Sequence, residues 1–309
     1  VALRIAYFGL PLGACLLAAD GHDLRFAMLS PVPGPGRRRL SRLLGRERIL
    51  SASELGERLD EAVDAAIARE TPELVVSWFW TRRIPARVLS AARLGGIGAH
   101  PSLLPRHRGP DPYFWAIDSG DIDSGVTIHR LTERYDDGEI LDARALAIGD
   151  RDAWQLARAL DRPSLELLRA RVAAFARGVV ASGAAQDERR ATQAPPPEGD
   201  ELRVDFRGST ERALRRIRAL SPVPGLALEI EGLCLTVTRA RATDAFPRAL
   251  EPGEAAVAGE PPRVVLRTGD GAFAVERASL DLETTGILLT GEETARLLER
   301  HLDPSRSGK

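Results

Sequence analysis

The first 29 residues constrain the fold more than any other stretch of the chain. Leu3 to Gly9 is a short apolar run ending in glycine, Pro11 to Asp20 repeats its apolar residues at helical spacing and closes on Gly21, and Asp23 to Leu29 is a second apolar run. Two strands separated by a helix-length segment are too far apart for a hairpin, so the crossover commits them to lie parallel in one sheet. Such a sheet is buried on both faces, and the chain that follows has to bring helices to cover it.

The chain that follows has that pattern. Ala52 to Glu70 reads as an amphipathic helix, Pro72 to Trp80 as a buried strand and Ile84 to Leu94 as a helix. Ile97 to His100 is a short strand that delivers His100 to its carboxyl end, the edge where open α/β sheets bind ligands. Pro110 to Ser119 reads as a helix with proline near its first turn, Ser124 to Thr132 and Gly138 to Ile148 as strands around an Asp-Asp-Gly turn, and Asp152 to about Ala181 as one long helix. Ser182 to Asp200 is polar and proline-rich with no apolar period, which reads as a linker. Beyond it, a helix over Ser209 to Leu220 and short strands over Leu226–Glu231, Cys234–Arg241, Val264–Thr268 and Ala272–Ala278 suggest a small barrel. The expected organisation is an α/β domain with a parallel-rich sheet over 1–182, a linker over 183–201 and a β-barrel domain over 202–309.

Composition narrows the function. No apolar run approaches the ~20 residues of a membrane span, and VALRIAYFG reads as a first strand rather than a secretion signal, so a cytoplasmic protein is expected; a monomer is expected as well. Cys15 and Cys234 are far apart in apolar contexts, which fits packed thiols and argues against a disulfide or a metal site. The net charge of -1 supplies no global field for nucleic acid, so any anion site has to be local. The chain has no asparagine, and its only lysine is Lys309. Nearly every cation is therefore an arginine.

For chemistry, His100 stands at a strand end on a path stiffened by Pro101, Pro105, Pro110 and Pro112, and the turn Tyr135-Asp-Asp-Gly-Glu139 offers a carboxylate about 35 residues later. Histidine with a carboxylate that orients it is a general acid/base pair; an isolated histidine packed in a core, beside a commonplace turn, is the competing reading.

The spacing of His100-Pro-Ser-Leu-Leu-Pro-Arg-His-Arg-Gly109, Trp115-Ala-Ile117, Ser124-Gly-Val-Thr127 and Asp136-Asp-Gly-Glu-Ile-Leu141 resembles the 10-formyltetrahydrofolate-dependent formyltransferases. So do Arg4-Ile-Ala-Tyr-Phe-Gly9 and, in the second domain, Ile217-Arg-Ala-Leu-Ser-Pro-Val-Pro-Gly225, Pro252-Gly253 and Thr268-Gly-Asp-Gly271, with the longer match to the methionyl-tRNA formyltransferase branch. The resemblance implies a Rossmann-like N-terminal formyltransferase domain, an OB-like C-terminal barrel, 10-formyltetrahydrofolate as the formyl donor and no metal.

By the same resemblance an amine attacks the formyl carbon, His100 and an asparagine two residues before it hold the oxyanion, and Asp136 pairs with His100 and helps move the amine's proton. The asparagine's place is taken by Gly98. Losing one such donor costs about 10²- to 10³-fold in rate. A water or the Ser102 hydroxyl replaces the amide, the site serves another donor or amine, or the protein binds without turnover; the sequence leaves these three open. Ser102, Leu103, Leu104, Pro105, Val126 and Thr127 are implied to line the folate pocket. Initiator methionyl-tRNA is the implied acceptor, met by the basic loop with Arg37, Arg38, Arg39 and Arg42 and by the helix with Arg212 and Arg215. Arg106 and Arg108 are candidates for an anionic substrate or the folate tail, and a nucleotide-linked amino sugar is the alternative acceptor.

Overall fold

The computed structural model describes residues 1–32, 34–180, 182–280 and 287–302. Pro33 of the basic loop, Ala181 at the expected end of the long helix, and 281–286 and 303–309 of the expected barrel domain lie outside the described residues. From the amino end the elements are β1 (Arg4–Gly9), α1 (Pro11–Ala19), β2 (Asp23–Leu29), α2 (Arg37–Leu44), β3 (Ile49–Ser51), α3 (Ala52–Leu55), α4 (Leu59–Glu70), β4 (Leu74–Trp78), α5 (Ala86–Ser90) and β5 (Gly96–His100). There follow α6 (Pro112–Asp118), β6 (Asp123–Arg130), β7 (Ile140–Ala147), α7 (Ala153–Ala176), α8 (Thr210–Leu220), β8 (Leu226–Ile230), β9 (Leu233–Ala242), β10 (Ala255–Ala258), β11 (Arg263–Arg267), β12 (Ala272–Ser279), β13 (Leu288–Thr290) and α9 (Gly291–Leu302).

Two compact units emerge. The first comprises Val1–Pro112, Asp123–Ala147 and Arg158–Pro195; the second comprises Tyr113–Ile122, Ile148–Ala157 and the described residues from Pro196 on. In the first, a seven-stranded sheet runs in the order β3-β2-β1-β4-β5-β6-β7. β1 to β5 are mutually parallel, and β6 and β7 are antiparallel additions. The fold class is α/β with a Rossmann-like, parallel-rich sheet. One face buries Phe8, Phe26, Met28 and Val75 against Leu59, Val63 and Ala66 of α4 and Val88 and Leu89 of α5, each large side chain contributing about 1.5–3 kcal/mol. The α4 contacts recur at the helical spacing that makes that segment amphipathic.

Three local expectations change. The segment over Ala52–Glu70 is broken, because Gly56 takes a φ of 54° and separates α3 from α4. The basic segment expected as a loop is the helix α2, with Leu40 and Leu44 buried and Arg37, Arg38, Arg39 and Arg42 outward. The long helix stops at Ala176, where Gly178 follows with a φ of 80°.

The segment read as a linker is tied down by backbone pairing. Ala184 pairs with Ile140 through two backbone hydrogen bonds of 2.8 and 2.9 Å, and the stretch over Thr192–Ala194 exchanges backbone bonds with Pro105, Arg108 and Asp111. In the second unit the antiparallel sheet runs β10-β11-β12-β9-β8 with β13 on β12, a curled half-barrel consistent with the expected OB-like domain. Phe246, Val265, Ala272 and Ala274 form a core there, and α9 is a helix that the strand pattern left out.

Candidate active site

The site lies within the first unit, where β5 meets β6. Their antiparallel register places His100 opposite Thr127 and Gly98 opposite His129, so these side-chain positions share one face of the sheet. The turn between β6 and β7 then returns the chain, with Asp136 in the left-handed region at a φ of 54°. A carboxylate held in that conformation is strained unless its surroundings fix it. Gly138 is obligatory in this turn, since a Cβ there would lie 2.0 Å from the Arg130 carbonyl oxygen.

The Asp136 carboxylate is fixed from three sides. Its Oδ2 accepts the Gly109 N–H at 2.9 Å and lies 3.4 Å from His100 Nδ1; its Oδ1 lies 3.4 Å from His129 Nε2. Asp137, the other acid of the turn, pairs instead with Arg134 and Thr132. His100 is 6% exposed, and its Nε2 sits 2.7 Å from the His107 carbonyl. A carbonyl can only accept, so Nε2 carries the proton, and Nδ1 is the basic nitrogen facing Asp136. His107 stands at a φ of 59°, which turns its carbonyl to that bond.

Burial pushes the Asp136 carboxyl upward, but His100, His129 and the Gly109 N–H outweigh it and hold the acid well below the ordinary range. Burial lowers His100, against the opposing pull of Asp136 and the His107 carbonyl. The resting pair is an ionised carboxylate beside a neutral imidazole, which can accept a proton without reorganising.

A second layer holds this turn. Gln186 Nε2 donates to the carbonyls of Asp136 and Gly138 at 2.8 and 2.7 Å, while its Oε1 accepts from Arg108. Gln186 belongs to the segment read as a linker, 50 residues along the chain from Asp136. Arg108, a candidate anion contact, is buried and turned to Gln186 and Glu188 rather than outward. Arg106 is half-buried.

The expected folate-pocket residues divide. Thr127 Oγ1 donates to the Ser102 carbonyl at 2.7 Å and accepts from Leu104 N–H at 3.1 Å, and Ser102 Oγ donates to the Arg106 carbonyl at 2.6 Å. Both hydroxyl protons are thus committed to holding the Leu103-Leu104-Pro105 corner, and Ser102 is not the substitute donor that Gly98 leaves to be found. Val126 is fully buried, whereas Leu103 and Pro105 are partly exposed, with Leu103 against Gly125. At Gly98 itself a Cβ would meet Leu131 Cδ2 at 2.8 Å and His129 Nε2 at 3.4 Å. The end of the Leu131 side chain and the His129 ring border the place of the missing side chain.

Residues 41–168 match the formyl transferase family model and 198–285 match the model of the formyl transferase C-terminal domain. A methionyl-tRNA formyltransferase of Anaeromyxobacter dehalogenans is 32% identical over 90% of this chain and 93% of its own. The chain belongs to the formyltransferase family. As a formyltransferase it is an enzyme, a transferase. Its fold is similar to that of HypX from Aquifex aeolicus in complex with tetrahydrofolic acid, with a TM-score of 0.66 at 22% identity, 98% of this chain and 48% of that one. The formyltransferase thus spans about half the length of HypX. An N-formyltransferase from Helicobacter canadensis, in complex with folinic acid and dTDP-3-aminofucose, matches with a TM-score of 0.64 at 14% identity over 88% of this chain and 98% of that one.

Of the cations expected to meet substrate, Arg212 is exposed, while Arg215 is half-buried and bonded to Glu211 within the second unit. Residues His129 and Gln186 were missed by sequence reasoning. The alternation of β6 carries a signal for the first, since Thr127 and His129 fall on one face; nothing local signals the second. Among the described residues no helix is long and apolar enough to cross a membrane, and no group of three His, Cys, Asp or Glu side chains is placed to hold a metal.

Proposed function

We propose that this enzyme transfers the formyl group of 10-formyltetrahydrofolate to the amine of methionyl-tRNA, with His100 and Asp136 as its catalytic pair. The amine nitrogen bonds to the formyl carbon, the bond from that carbon to N10 breaks, and the proton lost by the amine balances the one gained by N10. What carries the reading is the buried His100–Asp136 pair at the end of β5, in a chain similar over nine-tenths of its length to a methionyl-tRNA formyltransferase. His100 offers a basic nitrogen beside a fixed anion, which suits an acceptor for the amine's proton. The partly exposed apolar side chains of Leu103 and Pro105 suit the flat face of a pterin; Val126 and Thr127 support that corner from behind.

The outward arginines of α2 suit RNA phosphate. Arg37, Arg38, Arg42 and Arg46 share a surface groove with Ser41, Ile49 and Glu54, and Arg37 is bonded to Glu54. Four phosphate contacts predict a log–log salt slope of about -3 for acceptor binding.

The test is release of tetrahydrofolate from 10-formyltetrahydrofolate, with methionyl-tRNA and nucleotide-linked amino sugars as acceptors. Turnover with methionyl-tRNA that falls about 10²- to 10⁴-fold in His100→Ala supports the reading. Turnover only with an amino sugar, or a salt slope near zero, removes the tRNA acceptor; an active His100→Ala removes the catalytic pair.

A further inference from the structure

The position opposite Gly98 holds a histidine whose surroundings are not those of a packing residue. His129 is 2% exposed near the carboxyl end of β6, with Ile128 beside it and Thr127 and Gly98 on its own face. A buried imidazole costs desolvation that a valine or leucine there would not. Its Nδ1 lies 2.8 Å from the Arg130 carbonyl and its Nε2 is turned toward Asp136 Oδ1 at 3.4 Å, where an N–H on Nε2 donates to the carboxylate. His100 mirrors this arrangement: one ring nitrogen bonds to a backbone carbonyl and the other faces the remaining carboxylate oxygen, with the two rings 83° apart and their centroids 6.5 Å apart. One carboxylate therefore stands between two imidazoles.

Gly98 borders the imidazole: a Cβ on residue 98 would lie 3.4 Å from His129 Nε2, in van der Waals contact, and 2.8 Å from Leu131 Cδ2.

We propose that His129 is a positioning residue for formyl transfer, holding Asp136 Oδ1 so that Oδ2 stays aimed at His100. The inference rests on the reading of His100 and Asp136 as the catalytic pair. The groups that face Asp136 are His100 from β5, His129 from β6 and the Gly109 N–H; Arg108 is turned to Gln186 and Glu188, and Arg130 to the Leu94 carbonyl.

Two variants separate positioning from packing. His129→Leu keeps apolar bulk and removes the nitrogen; His129→Gln keeps an amide donor near the place of Nε2. The expected result is a fall in kcat of about tenfold to a hundredfold in His129→Leu with KM for the formyl donor unchanged, and recovery to within a few-fold in His129→Gln. His129 is one of the neighbours that lower His100, so both variants should move the acid limb of the rate profile to higher pH. Full activity in His129→Leu, or a His129→Gln no better than His129→Leu with both folded, overturns the inference while leaving His100 and Asp136 in place. An active His100→Ala instead sinks the underlying reading. A measurement independent of turnover completes the set: the ring nitrogen resonances of both histidines should shift in Asp136→Asn. A His129 signal indifferent to that change overturns the inference whatever the acceptor is.

Discussion

At the scale of single residues, the site works by opposing burial with neighbours. Burial depresses His100, so the neutral base persists into acid, and the limb of kcat/KM that reports it should lie below the ordinary histidine value of about 6.5. A limb at or above 7 would mean that Asp136 wins over desolvation and that His100 rests charged. Gly98→Asn is the second prediction at this scale. With Leu131 Cδ2 at 2.8 Å and His129 Nε2 at 3.4 Å from the new Cβ, an asparagine has to push the Leu131 side chain aside and pack its amide against His129, and tetrahydrofolate release should fall rather than rise. A gain would show that His129 moves aside and that the site still accepts the family's amide. The sequence made His100, Asp136 and the oddity at Gly98 legible because motif spacing carries them. It did not show that His129 lies beside Gly98, because that neighbourhood depends on the pairing of β5 with β6 and not on spacing within one segment.

At the scale of elements, the β6–β7 turn and the strap that crosses it decide the geometry of the pair. Gly138→Ala would press a Cβ to 2.0 Å of the Arg130 carbonyl oxygen, a backbone clash that no side chain can relieve, and should destabilise the chain by about 1–3 kcal/mol in denaturant unfolding. An unchanged midpoint would mean that the turn has room to open. Gln186→Leu acts differently, since it removes the donor to the Asp136 and Gly138 carbonyls and leaves Arg108 without one partner. Turnover should drop about tenfold or more as the carboxylate drifts, while secondary structure stays intact by circular dichroism. A Gln186→Leu variant with native turnover would place the strap outside the mechanism. Composition made this strap look like a solvated linker because its apolar content is low and its partners are distant, the Gln186 bond to Asp136 spanning 50 residues. The helix α2 was obscured in the same way: Leu40 and Leu44 stand at helical spacing, but a run of arginines behind a Pro/Gly segment conceals two buried leucines.

At the scale of the whole molecule, the opening β-α-β pattern was enough to read a parallel sheet, and that sheet brings the end of β5 into place as a ligand edge. The carboxyl-terminal unit was less legible, because β10 and β13 span only four and three residues, while α9, whose apolar positions do recur at helical spacing, was passed over among the strands. A whole-chain property still follows from the site. Native His100 and Asp136 both bind protons more weakly than their unfolded counterparts, whose ordinary values are about 6.5 and 3.9. The unfolded chain therefore takes up more protons as pH falls through these values, and stability has to rise with pH across the window. Thermal midpoints should climb between about pH 4 and 7, first through the carboxylate and then through the imidazole. His22, lowered by burial, and Glu70 and Glu73, lowered chiefly by hydrogen bonds from Arg69 and Arg93, act in the same direction, so the assignment needs a variant. In His100→Gln the rise between about pH 5 and 7 should flatten, since a glutamine takes up no proton in either state. In Asp136→Asn the same upper rise should steepen, because the carboxylate that opposes burial at His100 is gone. A wild-type midpoint that stays level from pH 7 to 5 would mean that His100 titrates alike in both states, and the neutral base at the centre of the proposed chemistry would lose its physical cause.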